Sequence, residues 1–146
     1  HQTSDIRHQT SDIRHQTSKI LPVLGKIKDT YLLWHIYCQD IPKSQRHSFG
    51  YRIDSLFVEI IEAIAAASFL IPEEKRTYVK LAIKKIDALK ILTMILWESK
   101  SLKDKRYIDL SLKFDEIGRN LGGWQGQLTA QLTKQNSPIK KGREMK

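Results

Sequence analysis

The 146-residue chain has little of what builds disulfide-bonded or membrane-spanning proteins. Its one cysteine, Cys38, cannot form an intramolecular disulfide, so nothing indicates an oxidising compartment. The best apolar run, "AIAAASFLIP" at residues 63–72, is about half as long as a membrane span. The N-terminus lacks the apolar segment of a signal peptide. We therefore expect a cytoplasmic protein with no membrane contact.

Motifs for catalysis and metal binding are also missing. Di-iron helical bundles carry Glu-x-x-His pairs, and this chain has none. It also lacks His-Glu-x-x-His, Cys-x-x-Cys, Gly-x-Ser-x-Gly and a P-loop. Cys38 ends an apolar stripe, where a small buried hydrophobe is the usual role. We expect no catalytic residue, no metal and no cofactor, and we do not expect an enzyme.

The first 19 residues repeat the heptad "HQTSDIR". A coiled coil needs two apolar residues in each heptad, and this repeat has one. We therefore expect residues 1–19 to be a polar, flexible extension outside the folded domain.

From Ile20 onwards, apolar residues recur at helical spacing, and no window alternates as a strand does. Pro42, Pro72 and the stretch "SKSLKD" divide the pattern into four helices, of which the first three cover about 20–38, 43–70 and 72–99. Short connections make neighbouring helices antiparallel, which predicts an all-α, up-down-up-down four-helix bundle over residues 20–124. Ser101 is a candidate N-cap for the fourth helix.

The fourth helix leads into "DEIGRNLGGWQG", which has four glycines in nine positions. We expect Gly122 to end this helix in the left-handed region and Trp124 to fold back over the end of the bundle. Gly118, inside the helix, is interpreted as a point of close approach by a neighbouring helix or subunit. Residues 125–146, with five basic residues and one acidic residue, are then expected to be a flexible basic tail.

The second half of the third helix, "ALKILTMILWE", is apolar on nearly all sides. A helix in a small monomeric bundle has one polar face exposed to solvent. This pattern therefore predicts a second buried surface and hence self-association. Shielding by loops or by the tail is the alternative. The candidate interface residues are Ile91, Leu92, Ile95, Trp97 and Trp124.

The net charge of +9 favours polyanionic partners. On the third helix, basic residues recur at i, i+4 and i+8 with no acid between Lys75 and Lys85. A second basic set lies at the start of the second helix, where the helix dipole disfavours cations and an anionic partner would offset the cost. A solvated lysine-rich surface is the alternative for any single residue. The candidate nucleic-acid-binding residues are Lys43, Arg46, Arg52, Arg76, Lys80, Lys84 and Lys85.

Two stretches, "IPKSQRHSFGYRID" at residues 41–54 and "RYIDLSLKFDEIGRNLGGW" at residues 106–124, carry a resemblance over residues 20–126. With the four-helix pattern, the chain resembles the accessory variability determinants of diversity-generating retroelements. Those proteins belong to a wider group of bacterial four-helix bundles, some encoded in intervening sequences of ribosomal RNA genes. The N-terminal repeats depart from this pattern. So does lysine in place of arginine on the third helix, which implies less geometrically specific and more salt-sensitive contacts.

The resemblance implies a non-catalytic, barrel-shaped homopentamer. It also implies partners: the reverse transcriptase of the element and its structured template RNA or DNA, in mutagenic cDNA synthesis and retrohoming. The basic residues of the second and third helices would be the contact residues by position. The alternative is a stand-alone bundle that oligomerises and binds protein only, or an intervening-sequence-encoded protein.

Overall fold

The computed structural model describes the backbone of residues 21–144 and the side chains of residues 22–134. The repeats at residues 1–19 lie outside the described residues. All regular structure in residues 21–144 is helical, so the all-α prediction is confirmed. The four helices are α1 (Leu21–Cys38), α2 (residues 43–67), α3 (Pro72–Glu98) and α4 (Asp104–Glu144).

Helix boundaries follow the prolines. Pro42 precedes α2, and Pro72 occupies the first turn of α3 with Glu73 and Glu74 behind it. A fixed φ suits the first helical position, and acids face the positive end of the helix dipole. Helix α2 begins irregularly, in three consecutive parts: Lys43–Gln45, the π-helical turn Arg46–Gly50 and the α-helix Tyr51–Ala67.

The core is formed by the apolar stripes of the four helices, in which apolar residues recur at helical spacing. Phe57 of α2 lies at its centre, with its ring centroid 5.5 Å from Tyr31 of α1 and 5.9 Å from Phe114 of α4. The apolar face of α2 is buried along its whole length, chiefly against α3 and α1. Its buried residues are Ile53, Leu56, Phe57, Ile60, Ala63, Ile64 and Ala67.

Polar contacts between α1 and α4 establish that these helices are antiparallel. Near the end of α1, the hydroxyl of Tyr37 donates to Asp109 Oδ2 at 3.1 Å, early in α4. Near the start of α1, Lys26 Nζ lies 2.8 Å from Glu116 Oε1, further along α4. Helix α4 therefore runs back along α1 and closes the ring of four helices.

The connection after α3 contains a left-handed cap. Lys100 has φ of 67°, and it is the one non-glycine residue with positive φ among the described residues. Its N–H donates to Trp97 O at 3.0 Å, while the Ser101 N–H donates to Leu96 O at 2.9 Å. These two bonds form a Schellman motif, in which glycine is the usual left-handed residue.

Ser101 does not cap α4, so that prediction is wrong. Its hydroxyl is hydrogen-bonded to Gln45 Oε1 at the start of α2. The first helical bond of α4 runs from the Tyr107 N–H to Lys103 O, which places the N-cap at Lys103. The Ser101 side chain instead links two connections at the same end of the bundle.

Helix α4 continues through the glycine-rich stretch, so the predicted helix stop at Gly122 is wrong. No glycine among the described residues has positive φ, and the helix extends to Glu144. Trp124 is half-buried on the side of α4, packed against the core, rather than folded over its end. Gly118 does face α3, but an added Cβ would lie 4.0 Å from Ile86 Cγ2 and 3.7 Å from Lys90 Nζ, which is ordinary contact.

Candidate nucleic-acid interface

The basic row of α3 lies on the outer surface of the bundle. Arg76, Lys80 and Lys84 are all exposed, and their spacing places them on one face of the helix. Within the described residues, none of the three forms a salt bridge. The row is therefore a strip of positive charge that a polyanion could neutralise.

Lys85 lies on the flank of α3 and has a partner on α2. Its Nζ is 3.4 Å from Glu59 Oε2, and its side chain is only 20% exposed. Arg52 Nη1 lies 3.3 Å from the same oxygen and also donates to Ser55 Oγ. Two of the predicted cations therefore share one carboxylate, which reduces the charge they present.

Arg46 holds the connection between α1 and α2 through hydrogen bonds to the main chain. Its Nη2 donates to Gln39 O and to Ile41 O, at 3.0 Å in both cases. These bonds satisfy main-chain carbonyls where α1 ends, a role that basic side chains often have at helix C-termini. Lys43, in the same predicted set, is exposed and forms no ion pair with any described residue.

The face of α3 that carries the basic row becomes apolar towards its C-terminus. Ile91 is 53% exposed and Ile95 is 37% exposed. At 100° per residue these two side chains point in nearly the same direction as Lys80 and Lys84. One face of α3 therefore carries Lys80 and Lys84 in its first half and Ile91 and Ile95 in its second, with the exposed Asp87 between the two pairs.

The other predicted interface residues have contacts within the chain. Leu92 and Trp124 are half-buried and packed against the core. Trp97 stacks on Tyr107, with centroids 4.6 Å apart and planes 7° from parallel. Its Nε1 donates to Asp104 Oδ1 at 2.7 Å, which fixes the ring at the start of α4.

The five predicted interface residues do not form one patch. Trp97 lies beside Tyr107, whereas Trp124 is further along α4 by roughly 25 Å at about 1.5 Å per residue. Ile91, Ile95 and Trp97 lie towards one end of the bundle, and Trp124 lies towards the other.

Further exposed aliphatic residues, not predicted from the sequence, lie on α1 and α4. They form i, i+4 pairs on the outer faces of these helices, off the core stripes. The only sequence signal is that both helices contain apolar residues beyond those their stripes require. The pairs are Leu32 (52% exposed) with Ile36 (61%), and Ile108 (54%) with Leu112 (63%).

Titratable groups among the described residues do not cluster as a metal site. No three His, Cys, Asp or Glu side chains of this part of the chain could jointly hold a metal ion. The thiol of Cys38 is half-buried, and burial raises its pKa, against a lowering effect from Arg46. No helix within residues 21–144 has both the length and the apolarity to cross a bilayer.

In comparisons with known proteins, the chain matches no protein-family model and no curated protein.

Proposed function

We propose that this protein is a non-catalytic nucleic-acid-binding subunit that associates with the reverse transcriptase of a diversity-generating retroelement and with its structured template RNA. In this role it supports mutagenic cDNA synthesis and retrohoming. The observation that carries the proposal is the exposed row of Arg76, Lys80 and Lys84, unpaired within the described residues, on a protein of net charge +9.

The chemistry of the row suits a phosphate backbone rather than a small anion. Its three cations follow one another along the helix at intervals of about 6 Å. Lysine acts on phosphate as a point charge, so binding at this row has little sequence preference and a strong dependence on salt. A folded RNA held in this way can be presented to a polymerase without any catalytic group in this chain.

Self-association belongs to the same proposal. The aliphatic half of the outer face of α3, with Ile91 and Ile95, is the proposed contact between copies. A ring of copies, a barrel-like homopentamer by the family resemblance, would repeat the basic row around the assembly. The many phosphates of one RNA could then be neutralised together.

The test is RNA binding by the full chain as a function of salt concentration. With a structured RNA, we expect the logarithm of the affinity to fall linearly with log salt, with a slope of about −0.7 to −0.9 per neutralised phosphate. Replacing Lys80 and Lys84 together with Gln should weaken binding and reduce the slope by roughly two such increments. Lys85→Gln is the matched control, because its cation is already paired with Glu59, and a smaller effect is expected.

An unchanged affinity and slope in the Lys80→Gln, Lys84→Gln double variant would rule out the α3 row as the contact. A wild-type chain that binds no RNA even at low salt would rule out the function. The polymerase contact is tested separately, by co-expression with a reverse transcriptase encoded beside this gene and measurement of co-purification.

The second candidate function is a stand-alone bundle that oligomerises and binds protein only. The observation that favours it is the exposed aliphatic pair on α1 with its counterpart on α4, since contact with a protein partner would bury these side chains. A stable homo-oligomer without RNA affinity would support this second function over the first.

A further inference from the structure

Two neighbouring cavities lie along α4, towards the end of the bundle opposite the one that holds Trp97. The first, of about 430 Å³, lies between α4 and the first turns of α1. The second, of about 400 Å³, lies between α4 and the start of α3. Both fall in the volume range of small-molecule sites. Trp124 and Gln127 line both cavities, so the two form one groove with the indole between them.

Among the described residues, the side chains that line this groove are cationic, amide, aromatic and aliphatic, and none of them is acidic. The first cavity has Lys26 and Arg119, and the second has Lys75 and Lys134. Lys26 is paired with Glu116, which lines neither cavity. The other three cations form no salt bridge within the described residues. The pKa of Glu116 is lowered chiefly by Lys26, with a smaller contribution from Arg119. The amides that line the groove are Asn120, Gln127 and Gln131.

The glycine-rich stretch gives the first cavity its space. Gly123 lines this cavity, and a Cβ added there would meet no atom within 4 Å. One face of α4 lines this cavity, and Gly123 leaves a gap where a side chain would stand. The residues of this face are Arg119, Asn120, Gly123, Trp124 and Gln127. A continuous helix normally avoids glycine because each costs about 1 kcal/mol relative to alanine. An open groove is one reason to keep Gly123.

We infer that this groove binds unpaired nucleotides of RNA, with a base stacked on Trp124 and the flanking phosphates near Arg119 and Lys134. Sites for single-stranded nucleic acid combine a positively charged groove with an aromatic stacking surface. Amides add hydrogen bonds to the edges of an unstacked base, which a duplex does not offer. The inference rests on the proposed function, but it names a different surface from the α3 row and a different part of the RNA.

The decisive experiment fills the groove without changing charge. In Gly123→Leu the new side chain enters the first cavity, whereas Gly126→Leu is the matched control on the same helix. Gly126 is equally open and lines neither cavity. Both changes should favour the helix, so folding is retained. For a labelled oligouridine and the full chain, we expect Gly123→Leu to weaken binding about fivefold or more, as for the loss of one base–aromatic stack, and Gly126→Leu to leave it unchanged.

Two further measurements identify the ligand. Arg119→Gln should reduce the salt slope for oligouridine by about 0.7, the value for one phosphate of a single strand. Lys113→Gln, an exposed cation on α4 outside the groove, should reduce it less. Oligouridine should also quench the tryptophan fluorescence of the wild type, and Trp124→Phe should lose most of that quenching while Trp34 and Trp97 remain as internal references.

The outcomes separate this inference from the proposed function. If oligouridine and a structured RNA both bind and Gly123→Leu weakens neither, the groove is not the site, while the proposed function stands. The groove is also excluded as a site for unpaired nucleotides if Gly123→Leu weakens an RNA duplex as much as oligouridine, or if polyglutamate competes as well as oligouridine does. If no RNA binds to the wild type at low salt, the proposed function fails and this inference fails with it.

Discussion

At the scale of single residues, Arg46 and Lys43 belong to the same predicted basic set but have different roles in the structure. Both lie at the start of α2, and their sequence pattern does not distinguish them. In the structure, Arg46 binds the carbonyl oxygens of Gln39 and Ile41, whereas Lys43 is exposed without an ion pair among the described residues. The difference follows from reach, because only Arg46 comes within hydrogen-bonding distance of the end of α1.

We expect Arg46→Ala to lower the free energy of unfolding by about 1–3 kcal/mol, because two main-chain carbonyls lose a charged donor. Lys43→Ala is the control and should change it by less than about 0.5 kcal/mol, as for an ordinary surface substitution. Urea unfolding followed by circular dichroism measures both. Equal stabilities for the two variants would contradict a structural role for Arg46.

For a helical element, α4 shows how packing overrides local propensity. Four glycines in nine residues predict a helix end, yet the helix continues. Leu121 and Leu128 are buried on either side of the half-buried Trp124. Burial of a large apolar side chain stabilises by about 1.5–3 kcal/mol, more than the roughly 1 kcal/mol that each glycine costs.

The helical conformation of the stretch predicts the effect of Gly122→Ala. Position 122 has negative φ and open space around a Cβ, so alanine should raise the free energy of unfolding by about 0.4–1 kcal/mol. Gly118→Ala is a useful comparison, with a gain at least as large expected, because its Cβ would make only ordinary contacts with Lys90 and Ile86. Thermal or urea unfolding is the measurement. A loss of stability in Gly122→Ala would instead indicate the left-handed helix end that the sequence suggests.

The whole molecule has exposed large hydrophobic residues on all four helices, and this surface is the basis for expecting self-association. We expect sedimentation of the wild type at micromolar concentration to show a mass above that of one chain. Replacing Ile91 and Ile95 together with Ser should lower that mass, because both are exposed on the outer face of α3. Serine at Ile36 and Leu112, on other faces, is the matched control.

A monomeric wild type would contradict self-association. If the mass falls only in the Ile36→Ser, Leu112→Ser variant, the copies meet through α1 and α4 instead of α3. The second result would also change how copies of the basic row of α3 are arranged around an assembly.

The sequence by itself determined the helical class, the number of helices and most of the core. Those features depend on local periodicity and on prolines that mark where helices begin, and both can be seen in a single stretch of chain. The stripe of α2 shows this, because its members recur at helical spacing in the sequence and all are buried: Ile53, Leu56, Phe57, Ile60, Ile64 and Ala67.

Only the tertiary structure decided which charges and which glycines have partners. Glu59 of α2 pairs with Lys85 of α3, Arg46 of α2 donates to carbonyl oxygens after α1, and Trp124 lies between two cavities. These relations join residues on different helices or depend on burial against a neighbour. Periodicity along one helix has no information about them, because the free energy that fixes them arises from contacts made only when the four helices pack together.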